Sequence, residues 1–257
     1  MIGQTELFNK LTTTLPNCTL LLGRKGIGKK TLAIEVCKSL NIPHSLLSNK
    51  VEALKNDIIT DINIKYVYII PNFDTASINA KNSLLKILED CPLNIYFILT
   101  AEHKDEIPGT ILSRCQQFNL VPYSKDELKT ACDNKEIVNI CDTFLEIQQL
   151  EPIYDDFNAF CDKVINHIGT ISLSNALKIG TNLQLKKDAK GYDLELFFKL
   201  IMYKFYNKYE ESNDINYIQA YNITSKSLNM LNIVSVNRQM LFDNWVFKIR
   251  NIWNYKN

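Results

Sequence analysis

The sequence predicts a parallel α/β fold in its first half and an all-helical second half. Three observations carry this. Short apolar runs alternate with helical patterns as far as Pro122, a glycine-rich turn joins the first run to a helix, and beyond Pro122 no run reads as a strand. Strands alternating with helices imply a parallel sheet with helices on both faces.

The elements follow in order. Residues 19–22 (TLLL) form a short buried strand, followed by the turn GRKGIGKK (residues 23–30) and the helical TLAIEVCKSL. Residues 66–70 make a second apolar strand. Residues 76–90 make a helix whose Leu84, Leu85, Ile87 and Leu88 face the core. Residues 94–100 are a third strand, GTILSR is a short helix ending near Cys115, and residues 116–120 are a fourth strand closed by Val121-Pro122. In the second half, Leu194, Phe197, Phe198, Ile201 and Phe205 are spaced as one amphipathic stripe. The last helix, residues 239–253, carries Leu241, Trp245, Ile249 and Trp253 on one face. Gly169-Thr170 and the run ending at Gly191 read as loops between helices, with boundaries near Pro122 and Pro152.

Composition narrows the class. A 257-residue chain with 46% hydrophobic and 22% charged residues is long enough for a large core and ordinary for a globular protein. A formal net charge of +1 argues against a broadly basic nucleic-acid surface. The seven cysteines and three histidines are scattered without metal-ligand spacing, so the cysteines are expected reduced and packed. The start, MIGQTELFNK, is polar, and no apolar run approaches the roughly 20 residues of a membrane span, so a cytoplasmic location without membrane contact is expected. Arginine occurs only at Arg24, Arg114, Arg238 and Arg250. In so lysine-biased a chain each one is informative, because lysine lacks the planar bidentate fork.

The turn after the first strand matches G-x-x-x-x-G-K-[ST] at Gly23, Gly28 and Lys29 and departs at Lys30. Glycines, Gly26 among them, let successive N–H groups wrap a phosphate, and Lys29 and the helix start add positive charge. The hydroxyl that normally reaches magnesium is replaced by Lys30, and Thr31 points about 100° further round the helix. Weak nucleotide binding at this degenerate loop and none at all stay open as readings. The second strand ends in Pro71-Asn72, where a hydrolytic site needs carboxylates for the metal and the attacking water. Asp74 lies past the strand and is not promoted to a metal ligand. An ATPase fold that is not an ATPase is the reading these losses support, and no metal is assigned.

NSLLKILED followed by NIYFILTAEHKDEIPGTILSRCQQF resembles the clamp-loader branch of the AAA+ proteins, the bacterial DNA polymerase III clamp-loader subunits and among them the delta-prime subunit. The likeness runs from about Gly3 to Pro122, and its most specific part is T-I-L-S-R-C (residues 110–115). It implies an AAA+ α/β domain at 1–122, a small helical lid at 123–154 and a helical collar at 155–257. Degraded Walker motifs fit a delta-prime-like subunit without its own ATPase activity and with no cofactor required. Arg114 would then be an arginine finger, supplied in trans to a neighbouring gamma/tau ATPase. Implied partners are the gamma/tau and delta subunits, the beta sliding clamp and primed DNA. Many relatives insert a four-cysteine zinc module before the second strand. Residues 41–64 here contain no Cys, so no zinc is expected.

The resemblance also places Thr100 beside the family's polar strand-end sensor, where strand-end hydrogen bonding is the plainer role, and Gly3-Gln4 beside the adenine. Lys186, Lys187 and Lys190 read as a solvated loop rather than a DNA contact, and the aromatic segment 192–206 as core and interface. Two other classes stay in view: a competent gamma/tau-like ATPase, and a stand-alone nucleotide-binding regulator.

Overall fold

In the computed structural model, which describes residues 3–50, 64–90, 93–185, 190–231, 233 and 236–254, the chain forms two compact units, Met1–Leu128 and Lys129–Asn257. Among the described residues of the first unit the order is α1 (Thr5–Thr13), β1 (Cys18–Leu22), α2 (Lys29–Ser39), β2 (His44–Leu46), β3 (Tyr66–Ile70), α3 (Ile78–Asp90), β4 (Ile95–Ala101), α4 (Gly109–Leu112), β5 (Gln116–Asn119) and α5 (Lys125–Lys129). The five strands pair in the order β2-β3-β4-β1-β5, and every pairing is parallel.

Alternate side chains of each central strand go to opposite faces, as the pleat requires. Leu20 and Leu22 of β1, Tyr68 and Ile70 of β3 and Phe97 and Leu99 of β4 pack with Leu84 and Leu88 of α3. Leu21, Val67, Ile69 and Ile98 pack on the other face with Leu11 of α1 and Leu32, Val36 and Cys37 of α2. The apolar runs are continuous because both faces are covered.

Two elements were not anticipated. β2 is three residues long (His44, Ser45, Leu46) and partly exposed, and it exists through its ladder to Val67, Tyr68 and Ile69. α1 arises in the segment read above only as polar, and it buries Leu11. The helix expected over residues 76–90 begins at Ile78, and the fourth anticipated strand ends at Asn119.

The second unit is helical, with α6 (Lys135–Ile140), α7 (Phe144–Leu150), α8 (Tyr154–His167), α9 (Leu173–Lys178), α10 (Leu194–Ser212), α11 (Ile215–Leu231) and α12 (Arg238–Asn254). Leu194, Phe197, Phe198, Ile201 and Phe205 of α10 are all fully buried. Trp245 stands edge-on to Phe197 at 5.4 Å and donates its indole N–H to Thr224 Oγ1 at 2.9 Å, so its one polar atom is satisfied. Tyr192 lies against Phe157 and Phe160; within the aromatic segment Phe197, Phe198 and Phe205 are buried, Tyr192 and Tyr203 half-buried and Tyr206 exposed. Lys186 and Lys187 lie outside the described residues, and Lys190 is exposed. Among the described residues no helix is long and apolar enough to cross a membrane.

Candidate nucleotide-binding site

In an open parallel sheet, ligands bind beyond the carboxyl ends of the strands. Here that edge gathers the loop after β1, the turn after β3 and the end of β4. β1 is buried throughout and pairs on both sides, so it delivers Gly23 to a fixed point. Gly23 N then donates to Ala101 O at 3.2 Å, tying the loop to the end of β4. Gly26 and Gly28 take φ of 83° and 88°, left-handed values that other residues adopt only under strain. α2 begins at once with Lys29, and Leu32 N donates to Gly28 O at 2.8 Å.

Lys29 is buried and folds back over its own loop. Its ammonium donates to Gly23 O and, at 2.9 Å, to Arg24 O. Burial pushes its pKa down, and the nearby carboxylates of Glu102 and Asp74 partly oppose the shift. Lys30 and Thr31 are both exposed on the first turn of α2. Lys25 N donates to Glu102 Oε1 at 3.2 Å, so one amide of the loop already holds a carboxylate.

After β3 the chain turns at Asn72, which adopts φ 51°, into a single 3₁₀ turn at Phe73–Thr75. Asn72 N donates to Thr100 Oγ1 at 3.1 Å, so Thr100 joins the ends of β3 and β4. Asp74 is buried, and its Oδ2 accepts from Glu102 N at 2.9 Å and His103 N at 3.0 Å. Lys81 Nζ donates to the carbonyls of Asp74 at 2.8 Å and Glu106 at 2.6 Å. The Asp74 carboxylate therefore holds the β4 exit loop. Among the described residues no group of three or more His, Cys, Asp or Glu is placed to hold a metal. Asp74→Ala is expected to destabilise the chain by about 2 kcal/mol in urea unfolding, because two N–H groups lose their acceptor. Asp74→Asn, which keeps one acceptor oxygen, should cost less than half of that.

Gly3, Gln4 and Tyr123 close the other side. Gln4 Nε2 donates to Val121 O at 2.6 Å and Gln4 Oε1 accepts from Val121 N at 3.2 Å, clasping the chain start to the exit of β5. Tyr123 donates its hydroxyl to Ile27 O at 2.9 Å. A methyl group placed on Gly3 would lie 2.5 Å from the Tyr123 ring, and one on Gly28 would lie 2.8 Å from its hydroxyl. Burial raises the Tyr123 pKa, and the charge of Glu127 adds to the rise. Sequence reasoning missed Tyr123 altogether; its one signal is position, just past the end of β5.

Arg114 stands apart from this cluster. It follows α4, and the next residue, Cys115, is buried in the core and anchors the turn. Arg114 is exposed, donating to Thr110 O at 2.8 Å and pairing with Glu89 Oε1 at 3.4 Å. An exposed ion pair of this length holds a side chain by at most about 1 kcal/mol.

Residues 45–124 match the family model described as DNA polymerase III, delta subunit. A DNA polymerase III gamma subunit of Buchnera aphidicola (Baizongia pistaciae) is 28% identical over 172 residues, 52% of this chain and 46% of that protein. A tau subunit of Bacillus subtilis is 29% identical over 46% of this chain and 28% of that protein. The alignments thus span less than half the length of these curated relatives. A DNA polymerase III gamma subunit-related protein of Thermotoga maritima superposes with a TM-score of 0.55 at 13% identity, covering 97% of this chain and 99% of that one.

The parallel sheet, the phosphate-type loop after β1 and these neighbours define an AAA+ fold with a helical C-terminal region. Within that class the chain is similar in sequence to DNA polymerase III subunits, to the delta subunit model over residues 45–124 and to gamma and tau subunits over about half of its length.

Proposed function

We propose that this chain is a delta-prime-like subunit of the DNA polymerase III clamp loader without ATPase activity of its own. One observation carries the reading: the phosphate loop keeps its shape while, among the described residues, the metal-holding groups expected around it are missing or committed. Lys30 replaces the hydroxyl, Pro71-Asn72 follow directly on β3 where carboxylates would stand, and Asp74 directs its Oδ2 to two backbone N–H groups. Phosphoryl transfer depends on a metal ion that neutralises the developing charge, so a site unable to hold one does not turn over.

In this reading residues 1–122 are the AAA+ domain, 123–154 a lid and 155–257 a collar. The assembled partners are the gamma/tau and delta subunits, with the beta clamp and primed DNA as the load. Arg114 is the arginine finger for an adjoining gamma/tau site, and its exposure and light tethering suit a residue that must reach another subunit. The gamma and tau names of the relatives favour one second reading, a competent ATPase.

Magnesium-dependent ATP turnover by the purified chain separates the two. No turnover above a Lys29→Ala control is the expected result. Turnover that disappears with Lys29→Ala would establish the chain as a motor.

A further inference from the structure

We propose that the nucleotide pocket is occupied by the chain itself, with Tyr123 filling the base side and the Glu102 carboxylate standing in for a phosphate on the loop. The inference rests on the reading of this cluster as a nucleotide site and goes beyond it, because it assigns a cause of closure separate from the lost metal ligands.

The resemblance places the base beside Gly3-Gln4, where three elements meet in this chain: the chain start, the phosphate loop and the exit of the last strand. Here one side chain bridges all three. Tyr123 belongs to the strand exit, its ring meets Gly3, and its hydroxyl reaches the loop at Ile27 O, with Gly28 directly beneath. A base needs about 3.4 Å on each face, and walls already in contact through a single ring leave it no such gap. The gap is also held shut from behind. Gln4 and Val121 exchange two hydrogen bonds. Ser124 and Glu127 exchange backbone-to-side-chain bonds at 2.7 and 3.2 Å, fixing the turn that carries Tyr123. The absence of side chains at Gly3 and Gly28 makes room for the tyrosine.

On the phosphate side, a loop of left-handed glycines followed by a helix start and a lysine attracts anions. Glu102 accepts from Lys25 N and its charge acts on Lys29, so the loop's positive field is answered by a residue of the same chain. Lys29 turns inward onto Gly23 O and Arg24 O.

The test is titration of the full chain with N-methylanthraniloyl-ATP and with pyrophosphate, each with magnesium, monitored by fluorescence or calorimetry. Tyr123→Ala is expected to tighten binding of the labelled nucleotide at least tenfold while leaving pyrophosphate unchanged. Glu102→Gln should tighten pyrophosphate several-fold, and Tyr123→Phe, which keeps the ring, should stay closed to the labelled nucleotide. Circular dichroism melts identify variants that remain folded, and Tyr123→Leu replaces Tyr123→Ala if the latter unfolds. Affinities unchanged from wild type in folded Tyr123→Ala or Tyr123→Leu and Glu102→Gln chains would overturn the self-occupied pocket and leave the inactive-subunit reading standing. Tight nucleotide binding by the wild-type chain would overturn it too. Hydrolysis by the opened variant would do the reverse, keeping the plug and removing the claim that metal chemistry is lost.

Discussion

On the proposed reading, a loader assembled with Arg114→Ala loses about a thousandfold in ATP turnover at the adjoining gamma/tau site, the scale of a missing arginine finger. The chain itself should be unaffected. Arg114 is exposed, and its bonds to Thr110 O and Glu89 lie on the surface, so unfolding free energy should change by no more than about 1 kcal/mol. Arg114→Lys should rescue little, because an ammonium cannot present two parallel N–H donors to phosphoryl oxygens. Glu89→Ala is the informative control: it removes the ion pair and leaves the guanidinium on Thr110 O, and turnover should stay at the wild-type level. Full turnover in an Arg114→Ala loader of verified subunit composition would end the arginine-finger role.

The contrast between Arg114 and the rest of the site reflects what a sequence can disclose. Arg114 sits in a short local pattern whose neighbour Cys115 is buried, so both its presence and its outward placement follow from contiguous residues. The same holds for the α10 stripe, where spacing alone assigns five fully buried positions. β2 is different. His44, Ser45 and Leu46 carry no apolar run, and only the ladder to β3 makes them a strand. Tyr123 is less legible still, since its bond to Ile27 O joins residues 96 apart in the chain. Asp74 was visible as an acidic residue near a metal-type position. Its commitment to Glu102 N and His103 N depends on β3 and β4 being neighbours, which only the folded sheet reveals.

Lys199 is the second large effect, and sequence spacing alone did not predict it. It lies among the buried residues of α10 and meets Glu146 at 2.7 Å, Asp142 at 2.8 Å and Glu195 at 3.2 Å. Burial alone would lower its pKa, but Glu146, Asp142 and Glu195 more than offset this and hold it above the usual lysine range. The stabilisation from a raised lysine is fully present below its unfolded pKa of 10.5 and is lost as pH rises through the higher folded value, so it operates undiminished at neutral pH. Glu146 also accepts from Asp142 N at 2.6 Å, so the same carboxylate that meets Lys199 fixes the start of α7. Lys199→Met keeps most of the buried stem and removes the charge, leaving the carboxylates facing one another without a cation. It should cost about 3–5 kcal/mol in denaturant unfolding, the penalty for breaking a buried ion pair from one side. Much of that penalty is the orphaned charge rather than lost attraction, so adding Glu146→Gln to Lys199→Met should recover a substantial part of it. If the double variant is instead as unstable as the sum of the two single changes, the three carboxylates do not act on Lys199 as a unit.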